Sequence, residues 1–124
     1  IGVVVTDTMG RAWRLGLTDN AIGVAGVTTL LDYRGQKDAA GRTLEQSITA
    51  VADEIASTAE LVKGKLDQIP VVLVRGLAQY VTLADGDGAR SIVRPPEEDL
   101  FGLGAEMAER RGYLRGFEDG KNER

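Results

Sequence analysis

Two rhythms of hydrophobic residues run along this chain. Between Leu44 and Val62 the apolar positions Leu44, Ile48, Val51, Ala52, Ile55, Ala59 and Val62 fall at steps of 4, 3, 1, 3, 4 and 3. That spacing draws one stripe on an α-helix. Asp53, Glu54 and Glu60 lie off the stripe and are expected in solvent. Thr43 is the expected N-cap with Gln46 as its capping-box partner, and Gly64, just after Lys63, is the expected left-handed residue closing the helix. The second rhythm is the short apolar run. Ile1–Thr6 reads as a buried strand because β-branched residues suit a covered, pleated surface. Ala21–Val27 is a second run, and its Gly23 and Gly26 mark a bulge or a close backbone approach. Leu30–Tyr33 extends it.

Between and after these lie the punctuators. Asp7–Arg14 reads as a polar loop, and Arg34-Gly35 and Asp38–Gly41 as turns. Val71–Val74 reads as a strand and Leu77–Leu83 as its twisted continuation. Asp85-Gly86-Asp87-Gly88 reads as a hairpin turn into a strand at Ser91–Val93. Pro95-Pro96 stops that strand, Leu103–Leu114 is the next helix, and Glu118–Arg124 is expected to fray. No internal repeat is visible. The order predicts an α+β fold with mixed or antiparallel sheets and a long central helix, residues 1–124 forming a single globular piece. The apolar opening at Ile1, with no Met and no solvated lead-in, is the expectation of a fragment whose upstream half is absent.

Composition narrows the chemistry. The 124 residues contain no His and no Cys. Imidazole bases, thiolate chemistry, disulfides and zinc sites of the Cys/His kind are thereby excluded, and any metal must be held by oxygen, as magnesium, manganese or calcium are. A net charge of −4 argues against nucleic acid as a partner. The longest apolar runs are far shorter than the ~20 residues of a membrane helix. With no signal-like start, the expected location is cytoplasmic.

Four features are candidates for chemistry. In Asp7–Arg14, Asp7 and Thr8 can hold a hard cation side by side, Gly10 permits a tight turn, and Arg11 and Arg14 can grip phosphate or carboxylate oxygens. The same residues also suit a capped turn with a salt bridge. Lys63-Gly64-Lys65 can reach phosphates, although a helix C-terminus is the wrong end for an anion and lysines there are ordinary dipole partners. Asp85–Gly88 has the colouring of a calcium loop but lacks the further ligands of an EF-hand. Arg90 and Arg94, spaced by four in a strand, face one side and can meet an anion or the acidic run Glu97–Asp99. Neither of the common nucleotide-binding glycine loops is present.

Val5-Thr6-Asp7-Thr8-Met9-Gly10-Arg11-Ala12-Trp13-Arg14 followed by Ala21-Ile22-Gly23-Val24-Ala25-Gly26 resembles the coenzyme F420-0:L-glutamate γ-ligase family. The resemblance continues through Asp32–Gly35, Asp38–Arg42, Val51–Ala56, Val62–Leu66, Pro70–Gly76, Arg94-Pro95 and Asp99–Phe101, in the family's order. It implies a γ-glutamyl ligase-like fold, incomplete in this chain, whose upstream half holds further GTP-binding residues, a metal-binding aspartate and an asparagine. It also implies the stand-alone form, without the flavin-binding domain of fused members. The implied reaction adds L-glutamate to the deazaflavin coenzyme F420-0, with GTP split to GDP and phosphate and an acyl phosphate as intermediate. Magnesium or manganese is the implied metal, with Asp7 and Thr8 at the family's aspartate–threonine pair, and the implied assembly is a homodimer. A glutamine metal ligand of archaeal members falls near Lys65, which cannot ligate a metal. The alternatives are a non-catalytic fold or dimerisation fragment, and a related nucleotide-dependent amide ligase with another acceptor.

Overall fold

A computed structural model describes residues 1–84, 86–101 and 104–122. They fall into two compact units, Ile1–Val93 and Arg94–Arg124. The first unit is built on an antiparallel hairpin of β1 (Val3–Arg11) and β2 (Arg14–Ala25). Against β2 packs the helix α1 (Val51–Lys63). A second, two-residue ladder joins β3 (Leu31–Asp32) to β4 (Ile48–Thr49), again antiparallel. The result is α+β with antiparallel sheets, as the element order predicts.

The polar stretch Asp7–Arg14 is not a loop. β1 continues through Asp7 to Arg11, and only Ala12 and Trp13 turn the chain. A strand with one covered face alternates whatever its polarity: Val4, Thr6 and Thr8 are half-buried, whereas Val3, Val5, Asp7 and Met9 are exposed. Gly10 lies inside the strand. The irregularity that closes the hairpin sits at Gly16, whose φ is +85°, with the register stepping from Gly10↔Leu17 to Arg11↔Arg14. A second bulge falls between Val5 and Thr6, opposite Ile22. Gly26 is a close approach of the expected kind. Its φ is +66°, and a Cβ there would lie 3.0 Å from the Ile1 carbonyl oxygen.

The helix starts later than its stripe predicts. Leu44 and Ile48 keep the helical phase, but the segment before Val51 is drawn into other pairings. Gly35 N–H donates to the Leu44 carbonyl and Leu44 N–H to the Gln36 carbonyl, Lys37 bridges Thr43, and Ile48 belongs to β4. Ala50, not Thr43, precedes the first turn, and it makes no side-chain cap. The helix ends where expected: Gly64 N–H donates to the Glu60 carbonyl at 3.0 Å. Its φ of 60° is positive, but ψ of −172° throws the chain out extended rather than into the left-handed helical well. Among the described residues the fully covered apolar side chains are Val51, Ala52 and Ala56, while Ile48 and Val62 are exposed and Ile55 and Ala59 half-buried.

Residues 71–74 pair with no strand among the described residues. The segment instead lines an apolar cavity of 780 Å³ together with β1 and with Ile55, Ala56, Ala59 and Lys63 of α1. Ala78–Tyr80 is a 3₁₀ turn, followed by a single bridge from Val81 to Val27. The hairpin expected at 85–88 falls partly on Asp85, outside the described residues. Gly88–Ile92 forms a 3₁₀ turn where a strand is expected, so the strand spacing of Arg90 and Arg94 does not hold. The second unit holds a 3₁₀ turn, Pro96–Glu98, and the helix α2 (Gly104–Asn122). α2 continues eight residues beyond Leu114, through most of the tail expected to fray. Leu103, Glu123 and Arg124, named in those expectations, lie outside the described residues.

Candidate functional site

One carboxylate in the first unit is covered where covering is costly. Asp19, on β2, is 3% exposed. An unpaired buried carboxylate would give up its charge, so its partners decide its state. Oδ2 accepts from Thr6 Oγ1 at 2.9 Å and from Lys63 Nζ at 2.5 Å, and Oδ1 accepts from Thr8 Oγ1 at 2.9 Å. The Lys63 ammonium, aided by the two hydroxyls, holds the Asp19 carboxyl far below the usual carboxylate range, against the opposing pull of burial. Asp19 is therefore an anion with all its near partners donating.

The backbone explains why these groups meet. Thr8 stands directly across from Asp19 in the ladder. Both backbone polar groups of Asp19 go to α1 rather than to β1: its N–H donates to Glu60 Oε2 at 2.8 Å, and its carbonyl accepts from Ser57 Oγ at 2.9 Å. Thr8 and Asp19 are thus a non-hydrogen-bonded pair, the kind in which facing side chains come closest. Ala21 N–H likewise donates to Asp53 Oδ1 at 2.8 Å. Asp53, Ser57 and Glu60, at helical steps, form a polar seam that satisfies the open edge of β2. The expectation that Asp53 and Glu60 face solvent is corrected by these bonds. Glu54, off the seam, is exposed.

Lys65 completes the cluster from beyond the helix. Its Nζ donates to Thr8 Oγ1 at 2.6 Å, pairs with Glu60 Oε1, and stands 3.6 Å from Asp19 Oδ1. The Glu60 carboxylate is the main cause of its raised pKa. Gly64 makes this possible. It turns the chain so that Lys63 and Lys65, on either side of it, bring their ammonium groups to one aspartate. A Cβ at Gly64 would meet Asp67 Oδ2 at 2.5 Å. Lys63 is enclosed, with its side chain 20% exposed, whereas that of Lys65 is 55% exposed. The two lysines balance Asp19 and Glu60, so the cluster is neutral as a whole, and Lys65 is the member open to solvent.

The sequence candidates thus divide. Thr8, Lys63, Gly64 and Lys65, separated by more than fifty residues, meet in one place. Asp7 sits beside Thr8 but on the exposed face of β1, its Oδ1 accepting the Thr8 N–H at 2.7 Å. Arg11 is three residues further along, about 10 Å by strand rise, and its guanidinium donates to the Leu15 carbonyl across the hairpin turn. Arg14 is exposed at the start of β2. A hard divalent ion suits the exposed Asp7 carboxylate, since magnesium is commonly held by one or two carboxylates plus water and phosphate. Thr8, as placed, does not fit as a ligand. Its hydroxyl gives its hydrogen to Asp19 and receives an ammonium from Lys65. Among the described residues no three carboxylates stand together as a metal-binding group. Asp19 and Glu60 are not singled out by the sequence reading. No apolar alternation marks Asp19 as inward, because Leu15 and Leu17 before it on β2 are themselves exposed.

A buried carboxylate that gathers two lysines and two threonine hydroxyls, in a chain without His or Cys, suits transfer chemistry driven by positioning and charge. Comparison with known proteins gives the chain a family. Residues 1–76 match the F420-0:Gamma-glutamyl ligase family, and the chain belongs to it. Over 102 residues it is 45% identical to the coenzyme F420:L-glutamate ligase of Methanocaldococcus jannaschii, covering 82% of this chain and 40% of that protein. The corresponding protein of Methanopyrus kandleri is 45% identical over 103 residues, 82% and 41% of the two chains. That of Methanothermobacter thermautotrophicus is 41% identical over 102 residues, 82% and 40%. The chain spans about two fifths of the length of these curated relatives. No helix among the described residues is long and apolar enough to cross a membrane.

Proposed function

We propose that this chain forms part of the active site of a GTP-dependent ligase that joins L-glutamate to the deazaflavin coenzyme F420-0, within a γ-glutamyl ligase-like fold. In this reading a carboxylate oxygen of the coenzyme attacks the γ-phosphorus of GTP, and the bond to GDP breaks. The glutamate amine then attacks the acyl-phosphate carbon, an amide forms, and inorganic phosphate leaves with the amine proton passing to solvent. The observation that carries the reading is the meeting of Thr8 with Lys65 around Asp19, which joins the two chain segments proposed for phosphate handling.

The residues here act by charge and orientation. Lys63 is fixed by Asp19 and Thr6, and Lys65, half in solvent, holds its ammonium at Thr8, on the side from which a phosphate can approach. Arg11 and Arg14 are the candidates for holding a carboxylate or phosphate oxygen at the hairpin end. Bound magnesium or manganese supplies neutralising charge to phosphate oxygens, and Asp7 is the residue that fits it. Asp7→Asn should abolish manganese-dependent GTP turnover while leaving the circular dichroism spectrum unchanged. Full turnover in that variant at saturating metal would remove Asp7 from the metal site. The reaction itself is tested by mass spectrometry of F420-0 incubated with the protein, GTP and L-glutamate, where a gain of one glutamyl residue with matching GDP release is expected.

One observation favours a second reading, a non-catalytic dimerisation piece. Val3, Val5, Met9 and Ile22, each half or more exposed, lie on the hairpin away from the Asp19 face. Homodimer formation without any GTP-dependent product would support that reading over the first. A related amide ligase with another acceptor would consume GTP with glutamate but leave F420-0 unchanged.

A further inference from the structure

The Lys65 ammonium is surrounded as a small cation would be. Thr8 Oγ1 lies at 2.6 Å, a Glu60 carboxylate oxygen is in direct contact, and Asp19 Oδ1 is 3.6 Å away. These oxygens come from three elements: β1, β2 and α1. All three side chains are held by bonds other than those to Lys65. Asp19 accepts from Thr6 and Lys63, Thr8 donates to Asp19, and the second oxygen of Glu60 accepts the Asp19 N–H. The cradle therefore does not depend on the lysine for its shape. Hard oxygen ligands of this kind, two carboxylates and a hydroxyl, are the set that magnesium and manganese select.

We propose that Lys65 is a tethered cation filling an oxygen cradle of Thr8, Asp19 and Glu60 that would otherwise bind a divalent metal. Charge supports this directly. With Lys65 present the cluster is neutral; with a neutral residue there, Lys63 offsets Asp19 alone and the negative charge of Glu60 is left over. Half-exposure of the Lys65 side chain gives an ion and its waters a way in. The consequence is that the Thr8 oxygen carries an ammonium at every metal concentration, and among the described residues the divalent ion of the proposed function is left to Asp7.

The test is manganese binding by the folded protein, followed by electron paramagnetic resonance and equilibrium dialysis. Lys65→Ala should bind one more Mn²⁺ per chain than wild type, and Lys65→Met, which retains most of the stem, should do so more weakly. Lys65→Arg should keep the wild-type number, because the positive charge remains. The double variant Lys65→Ala/Asp19→Asn should lose the extra ion. Equal stoichiometry in Lys65→Ala, Lys65→Met and wild type would overturn the proposal, as would an extra ion in Lys65→Arg. If Lys65→Ala does not fold, the comparison of Lys65→Met with Lys65→Arg decides by the same count. Ion counting does not require turnover, so an inactive ligase and an incorrect cradle give different results.

Discussion

Asp19 shows most clearly what a single residue does in this molecule. Its carboxylate is covered, and its charge is retained only because Lys63, Thr6 and Thr8 donate to it. Breaking one side of an enclosed pair leaves the other charge stranded, at a cost of about 3–5 kcal/mol. Asp19→Asn should therefore lower the unfolding free energy by about 3 kcal/mol in urea titration; a loss under about 0.5 kcal/mol would mean that Lys63 finds other partners. The pH dependence has a definite sign. A depressed folded pKa gives stability that is complete above the ordinary aspartate value of 3.8 and is lost as pH falls below it towards the native value. The wild-type protein should lose stability through that acid range, and Asp19→Asn should lose markedly less. Lys65 acts at the other extreme: its raised pKa gives a contribution present below its ordinary 10.5 and lost as pH rises through the raised value. Gly64 is the other residue without a substitute. Its φ of 60° with ψ of −172° lies in a region that is essentially glycine's alone. Gly64→Ala should cost about 1–3 kcal/mol and weaken the Lys65–Thr8 contact, visible as a change in the Thr8 amide resonance.

At the scale of elements, α1 was legible and its neighbours were less so. The 3.6-residue stripe finds the helix, and Gly64 finds its end, because both signals are local. The start is misplaced because Leu44 and Ile48 keep the helical phase while pairing elsewhere, in contacts set by Gln36, Lys37 and β3. Asp7–Arg11 is misread as a loop because its polar residues look like loop residues, yet Thr6 and Thr8 are polar in order to meet Asp19. The close approach at Gly26 and the turns around Gly35 and Asp38–Gly41 were legible from turn chemistry alone. The Asp19 cluster was half legible. Thr8 and Lys63-Gly64-Lys65 were recognisable as segments, but their meeting depends on a strand register that no local pattern carries. The helix face is covered where its side chains are small. Ala56 is 0% exposed, so Ala56→Leu should cost about 1–3 kcal/mol through overpacking. A neutral or stabilising result in thermal unfolding would show that the nearby apolar cavity can take the added side chain.

On the scale of the whole molecule, the hairpin has two characters. One face carries the Asp19 cluster and packs on α1. The other leaves Val3, Val5, Met9 and Ile22 substantially exposed. Family membership places this hairpin, α1 and the Lys63–Lys65 turn within a region shared with proteins more than twice as long. We propose that the Thr8 and Lys65 segments act as one unit in GTP-dependent ligation. A double-mutant cycle in the rate of glutamate addition to F420-0 tests this most directly, using Thr8→Val, Lys65→Met and their combination. Residues acting together are strongly non-additive. Each single variant is expected to lose about tenfold or more in kcat/KM for GTP, about 1.4 kcal/mol of transition-state stabilisation, with the double variant little worse than either. Losses that multiply, or single variants that match wild type, would contradict it.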